Sequence, residues 1–192
     1  MLRISSKVPL RMPRHFQCTA CGKCCYGQLP LTYVDALANA NRFPLCLVWT
    51  PVRAESRDSA RVTQLGFTLA LRARQTLAIL IMPTVYLPGT FACPALGRDN
   101  RCTIHDTKPL RCKSMPFDPT REERYQAELL TPRPGWECDF TPAAPAVFEN
   151  LKIVRRDDFD QESRALLEQA PLMRRYAEYQ LKHSPTLVYE LI

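Results

Sequence analysis

Four cysteines fall within eight residues, Cys18-Thr-Ala-Cys21-Gly-Lys-Cys24-Cys25. A two-residue gap lets two thiolates converge on one centre, because the turn between them aims backbone N–H groups at the sulfurs. Gly22 supplies the positive φ that such a turn often takes. Thiolates are soft donors that select zinc and iron–sulfur clusters. Three cysteines at successive two-residue gaps match the spacing that holds a [4Fe–4S] cluster, whose fourth ligand arrives from elsewhere in the chain. Zinc sites more often use two separate knuckles of this kind. The later spacings, Cys93-x8-Cys102-x9-Cys112-x25-Cys138, contain no second one. The spacing therefore favours iron–sulfur over zinc. Cys24 and Cys25 are adjacent and point in different directions, which makes them awkward ligands for one small tetrahedral ion. They can serve two neighbouring centres, or one can ligate while the other bridges or stays reactive. Two sets of four cysteines and one centre with a spare pair both fit the count.

The candidate ligands are thus Cys18, Cys21, Cys24, Cys25, Cys93, Cys102, Cys112 and Cys138. The ninth cysteine, Cys46, lies in Phe-Pro-Leu-Cys-Leu-Val-Trp and reads as a small buried apolar side chain. His105, three residues after Cys102, reads either as a ligand or as a turn histidine bonded to backbone. His15 and His183 carry no motif. Arg101, Lys108, Arg111 and Lys113 flank Cys102 and Cys112, where they can donate charge-assisted hydrogen bonds to thiolates. The chain has no phosphate-binding glycine loop, no G-x-S-x-G and no H-E-x-x-H. No residue earns a catalytic role from sequence, and no substrate is legible.

A chain of 192 residues with 46% hydrophobic residues can bury a core of its own and needs no disulfide staples. The basic N-terminus lacks an apolar run of signal-peptide length. The longest apolar stretch, Leu77–Met82, is six residues, far short of the roughly 20 of a membrane span. Both points place the protein in a reducing cytoplasm, where thiols stay free unless a metal or redox cycle claims them. Net charge is +7, and residues 1–137 carry 19 Lys/Arg against 10 Asp/Glu. That excess compensates thiolate charge. It is also compatible with a nucleic-acid or other anionic partner, although no basic cluster stands out.

Several elements must position these groups. Thr32, followed by Asp35, caps a helix running to Asn41. Residues 64–74 alternate apolar and polar, with Leu65, Phe67, Leu69, Leu71 and Ala73 on one face, and predict a half-buried strand. Residues 76–87 predict a second strand that pairs with the first as a hairpin, with Pro83 at an edge or a bend. Residues 93–138 read as proline-rich loop with a short helix over 122–130. Asp158 and Gln161 cap a helix over 159–169. Pro171 then breaks it and opens a second one to His183. The Thr-Pro-Ala-Ala-Pro-Ala segment at Thr141 marks a soft boundary. The expected fold is α+β: a small single domain with a cysteine-rich loop core, a short β-hairpin and peripheral helices. Residues 1–145 form the metal-binding part and 146–192 a helical extension packed on it.

The residues Cys18-x-x-Cys21-Gly22-x-Cys24-Cys25, then Cys93-Pro94-x-Leu96, then Arg101-Cys102-Thr-Ile104-His105-x-x-x-Pro109-x-x-Cys112-x-x-x-Pro116-Phe117, resemble the CxxCxxCC or YkgJ-type cysteine-cluster family of zinc- or iron-chelating proteins. The resemblance covers roughly residues 16–140 and implies metal chelation. Some members are labelled iron–sulfur oxidoreductases, and a related region occurs in flagellin lysine methylases. Cys138 resembles the family's more variable trailing cysteine. The family usually shows tyrosine at His105, and arginine at Lys108 and Lys113, so charge is kept and the tyrosine hydroxyl is not. Two functional expectations follow. One is an iron–sulfur or zinc protein supporting redox or group-transfer chemistry, as an enzyme or an accessory to a modifying enzyme. The other is a structural zinc module whose basic face meets nucleic acid or protein.

Overall fold

Ten residues, Thr76–Val85, form the central strand of the molecule, and eight of them from Ala78 on are buried. A strand buried on both faces reads as a continuous apolar run and must have partners on both edges. The structure is a computed structural model that describes residues 12–71 and 75–191. Its elements in order are β1 (Arg14–His15), β2 (Leu29–Pro30), α1 (Tyr33–Ala38), β3 (Leu45–Arg53), α2 (Ser59–Leu65), β4 (Phe67–Ala70), β5 (Thr76–Val85), α3 (Leu110–Lys113), β6 (Ala146–Glu149), β7 (Lys152–Ile153), α4 (Asp157–His183) and α5 (Leu187–Glu190). The fold is α+β, as its sequence predicts.

One edge of β5 pairs antiparallel with all of β3, from Leu45 opposite Val85 to Arg53 opposite Leu77. The other edge pairs with β4, Phe67 opposite Ile79, and with β2, Leu29 opposite Val85. The predicted hairpin of β4 and β5 is present. The first predicted strand starts three residues late, because Gln64 and Leu65 close α2 instead and Gly66 follows them. Gly66 makes that junction, where an added Cβ would stand 1.9 Å from the Ile79 carbonyl oxygen. Residues 72–74 of the predicted strand lie outside the described residues. Pro83 sits in the central strand rather than at an edge. The β2 side needs only its carbonyl, which accepts from the Leu31 amide at 2.8 Å. The long strand β3 and the helix α2 are additions to the elements expected from sequence.

Thr32 caps α1 as expected, its Oγ1 accepting from the Asp35 amide at 3.1 Å, but the helix ends at Ala38. Residues Glu123–Leu130 form a 3-10 helix. The C-terminal helix departs from prediction twice. It starts at Asp157 without a side-chain cap, and it runs through Pro171 without a break. A proline inside a helix costs about 3 kcal/mol through its missing N–H and ring clash. Packing on both sides of Pro171 offsets that. Leu166 joins Val62, Leu65, Ala78, Leu80 and Met82, while Met173 and Ala177 join Ile79 and Ile81.

Helix α4 also anchors the cysteine loops. Glu162 is 1% exposed and accepts from the Ser114 hydroxyl, and Arg111 Nη2 stands 3.6 Å from it. Arg111 in turn pairs with Asp118 at 3.1 Å. Burial pushes the Glu162 carboxyl up to about 7, against the lowering pull of Arg111 and Ser114. A carboxyl whose pKa rises on folding stabilises the fold most while protonated. That contribution is full below the unfolded value and fades as pH rises through 7. Glu162→Gln keeps the neutral shape and should flatten the stability profile between pH 5 and 8. The slope it removes is worth about 3 kcal/mol at ~1.4 kcal/mol per pKa unit. Thermal melts of both proteins at four pH values test this; parallel profiles would refute it.

Candidate metal centre

Two antiparallel seams and one short helix carry the cysteines. Gln17 and Asp139 exchange backbone hydrogen bonds at 2.8 and 3.0 Å, a register that sets Cys18 opposite Cys138. The Thr19 hydroxyl continues this seam to the Glu137 carbonyl at 3.1 Å. The bridge between Tyr26 and Ala92 sets Cys25 opposite Cys93, whose amide donates to the Cys25 carbonyl at 2.8 Å. Cys102 follows through its bridge to Leu96. Cys112 lies on α3, whose first amide, Leu110, donates to Asp35 Oδ2 at 3.0 Å, so the partner of the α1 cap Thr32 also holds this turn.

The knuckle Cys18-Thr-Ala-Cys21 behaves as its spacing predicts, with the Ala20 amide pointing at the Cys18 sulfur, 3.4 Å away. Ala20 takes φ 57°, a conformation costly for a residue with a Cβ. Gly22 takes φ 72°, and an added Cβ would stand 2.6 Å from the Asn100 carbonyl oxygen. Gly22→Ala must therefore push the Cys21–Cys24 turn off the 97–101 loop. We expect bound metal to fall several-fold, with far-UV circular dichroism nearly unchanged. Full metal content in that variant would show that the turn tolerates the shift.

All eight candidate cysteines line one cavity of about 150 Å³. A single water needs about 10–15 Å³ on the same measure, so there is room for more than one ion. Among the described residues, no Asp or Glu lines it, and the charged groups are Lys108 and Lys113, with His105 beside them. His105 Nε2 lies 3.4 Å from Lys108 Nζ, so the histidine and that ammonium share one wall. Cys46 does not line the cavity; it sits on β3 opposite Thr84, and burial pushes its thiol up. Arg111 corrects one expectation. It is 7% exposed and turned toward Ser114, Asp118 and Glu162, so it positions the Cys112 turn instead of contacting a thiolate. Sequence reading also missed Phe16, Met115 and Trp136 in the cavity wall, since isolated apolar residues carry no spacing signal.

The thiols hold one another in pairs. The Cys25 thiol donates to Cys24, which holds Cys24 down to about 6; burial opposes this, and Lys108 and Arg133 add to it. Cys25 is pushed far up by the same bond and by burial, so it is the partner that keeps its proton. Burial pushes Cys112 up to about 12 and Cys138 to about 11, and it raises Cys93 as well. Burial also pushes on Cys21. There the Lys23 and Glu137 amides, the Thr19 hydroxyl and the Cys138 thiol outweigh it, and the net shift is downward. Among the described residues, no three His, Cys, Asp or Glu side chains stand together as a ready ion site. Seating a metal requires the sulfurs to draw closer together.

Residues 17–131, more than half of the 192-residue chain, match the family model CxxCxxCC, described as "Putative zinc- or iron-chelating domain". The chain belongs to that family. The match includes seven of the eight cysteines in the cavity and stops short of Cys138, whose place in the site rests on the seam with Cys18. No curated protein and no solved structure matches the chain. Among the described residues, no helix is long and apolar enough to cross a membrane.

Proposed function

We propose that this family member holds an iron–sulfur cluster in its cysteine cavity and supports redox or group-transfer chemistry in a reducing cytoplasm. The observation that carries this is the donor set: eight thiols around one carboxylate-free cavity larger than a single ion needs. Soft thiolates with no hard oxygen ligands suit iron–sulfur clusters and zinc and reject magnesium and calcium. The two lysines offset the thiolate charge, and Phe16, Leu29, Phe43 and Ile104 give the cavity an apolar wall. When bound, such a group supplies electron transfer or Lewis acidity. The chain supplies the ligands, the Cys25 proton donor beside Cys24, and the amide at Ala20 that steadies Cys18.

Anaerobic purification tests the reading. Protein expressed with ample iron should be brown and contain iron and acid-labile sulfide. Colourless protein with stoichiometric zinc would overturn the cluster and leave the chelating site standing.

A further inference from the structure

Resting on the metal-binding reading above, we propose that Cys18 and Cys138 form a redox modification site. A small-molecule disulfide of the glutathione type oxidises them to a disulfide of their own. Both sulfurs then leave the donor set of the cavity, and the metal is held less firmly.

Backbone register sets the pair. Gln17 and Asp139 donate to each other's carbonyls at 2.8 and 3.0 Å, so they are a hydrogen-bonded antiparallel pair. The next pair along the seam, Cys18 and Cys138, is therefore a non-hydrogen-bonded one. The Thr19 hydroxyl, bonded to the Glu137 carbonyl, carries the register past it. Residues directly opposite in such a pair have Cα atoms about 4.5 Å apart and side chains on one face. A disulfide spans Cα separations of about 4.4–6.8 Å. Both cysteines line the same cavity, so their side chains do lie to one side of the seam. The family match, residues 17–131, takes in Cys18 and ends before Cys138. The seam thus sets a thiol from outside the matched region against a cysteine inside it.

Access singles out this pair. Cys18 is exposed, and among the described cysteines it alone also lines a neighbouring groove of about 460 Å³, a size that takes a small molecule. The groove carries Lys113 and Arg155 together with Asp157 and Asp158, so a disulfide bearing carboxylates and ammonium groups meets both signs of charge there. Cys25 and Cys93 also face each other, across the Tyr26–Ala92 seam, but they are less exposed and line the cysteine cavity alone. The exchange runs in two steps. The Cys18 sulfur attacks the small disulfide, whose S–S bond breaks and releases one thiol. The Cys138 sulfur then attacks Cys18, the mixed disulfide breaks, and the second thiol leaves. The two cysteines lose two electrons and two protons, and the two released thiols carry both away. In a reducing compartment such a bond is transient and serves sensing.

The test uses the full-length protein, metal-free or loaded with Zn²⁺, incubated with glutathione disulfide in the absence of oxygen. Free thiols are alkylated, and linked peptides are identified by mass before and after dithiothreitol. The metal-free protein should give one dominant link, Cys18–Cys138, that dithiothreitol reverses. The zinc-loaded protein should form it at least about tenfold more slowly, because metal-bound sulfurs must first be freed to attack, and should release zinc in step with it. A dominant Cys18–Cys21, Cys21–Cys138 or Cys25–Cys93 link, or a glutathione adduct that never resolves, would overturn the assignment. Equal rates with and without bound zinc would overturn the tie to the metal. Protein that takes up no zinc would overturn the metal-binding reading itself, and the link map of the metal-free protein would still decide the pairing.

Discussion

Removing the metal will open residues 88–107 to trypsin and 132–139 to chymotrypsin while α4 and residues 110–130 stay protected. Metal-to-thiolate binding contributes about 10–16 kcal/mol in small zinc peptides, against a total domain stability of about 5–15 kcal/mol. The loops around Cys93 and Cys102 are tied to the rest of the fold by few groups besides their thiols: the Gly27–Phe91 bond at 3.0 Å, the Cys25–Cys93 bond at 2.8 Å, and Ala95 packed among Leu31, Phe43 and Val85. Residues 132–139 are held by the Gln17–Asp139 seam and an exposed Lys23–Glu137 pair at 3.9 Å. The stretch between them differs. Phe117 and Leu130 are buried with Phe148 and Phe159, Gln126 is fully buried against the Asp118 backbone, and Arg111 is locked to Glu162. Losing even ~3 kcal/mol of local stability raises the open fraction by about 100-fold. Cleavage by trypsin after Arg98 and Arg101, and by chymotrypsin after Trp136, should therefore accelerate by at least an order of magnitude in chelator-stripped protein and in Cys112→Ser. Fragments identified by mass should show Arg111 spared. Equal resistance of stripped and loaded protein would mean that ordinary packing holds these loops and that the metal has no part in their order.

The octet and its destination were legible because cysteines are sparse and their spacing has a chemical meaning. Nothing else competes to explain four thiols in eight residues. Thr32 and Asp35 were equally readable, since the cap pair is local. The β4–β5 hairpin was readable because Phe67–Ala70 alternate, but its start was misplaced: Gln64 and Leu65 continue the alternation while packing as helix. β3 is not legible because Leu45, Leu47, Val48 and Trp49 are apolar without a clean period and Pro51 argues against a strand. The unbroken α4 failed for a different reason. The Pro171 rule is local, and long-range burial of Leu166 and Met173 on either side overrides it. Arg111 shows the same limit within the site. Beside Cys112 in sequence it looks like a thiolate partner, and only the position of Glu162, 51 residues later, turns it away.

Metal affinity should climb steeply with pH and keep climbing above pH 9. A metal displaces the proton from each thiol it takes, so below a thiol's pKa the apparent affinity gains about tenfold per pH unit for each such proton. Ordinary thiols, near 8.5, stop contributing once pH passes that value. Here Cys112 holds its proton to about 12 and Cys138 to about 11, both chiefly through burial. Each must still lose a proton when metal binds at pH 10, so the slope there stays near one for any centre that takes either residue. Cys24, held down to about 6, is already a thiolate at neutral pH and adds nothing to the slope above 7. As a thiolate it would be the sulfur readiest to meet an ion, ahead of the thiols that burial keeps protonated. Zinc competition against a chelator of known pH dependence, run from pH 6 to 10, measures this directly. Between pH 6 and 8 the affinity should rise by about two orders of magnitude or more. A plateau above pH 9 would show that Lys108 and Lys113 hold the buried thiols ionised before metal arrives, so that charge and not burial sets their protonation.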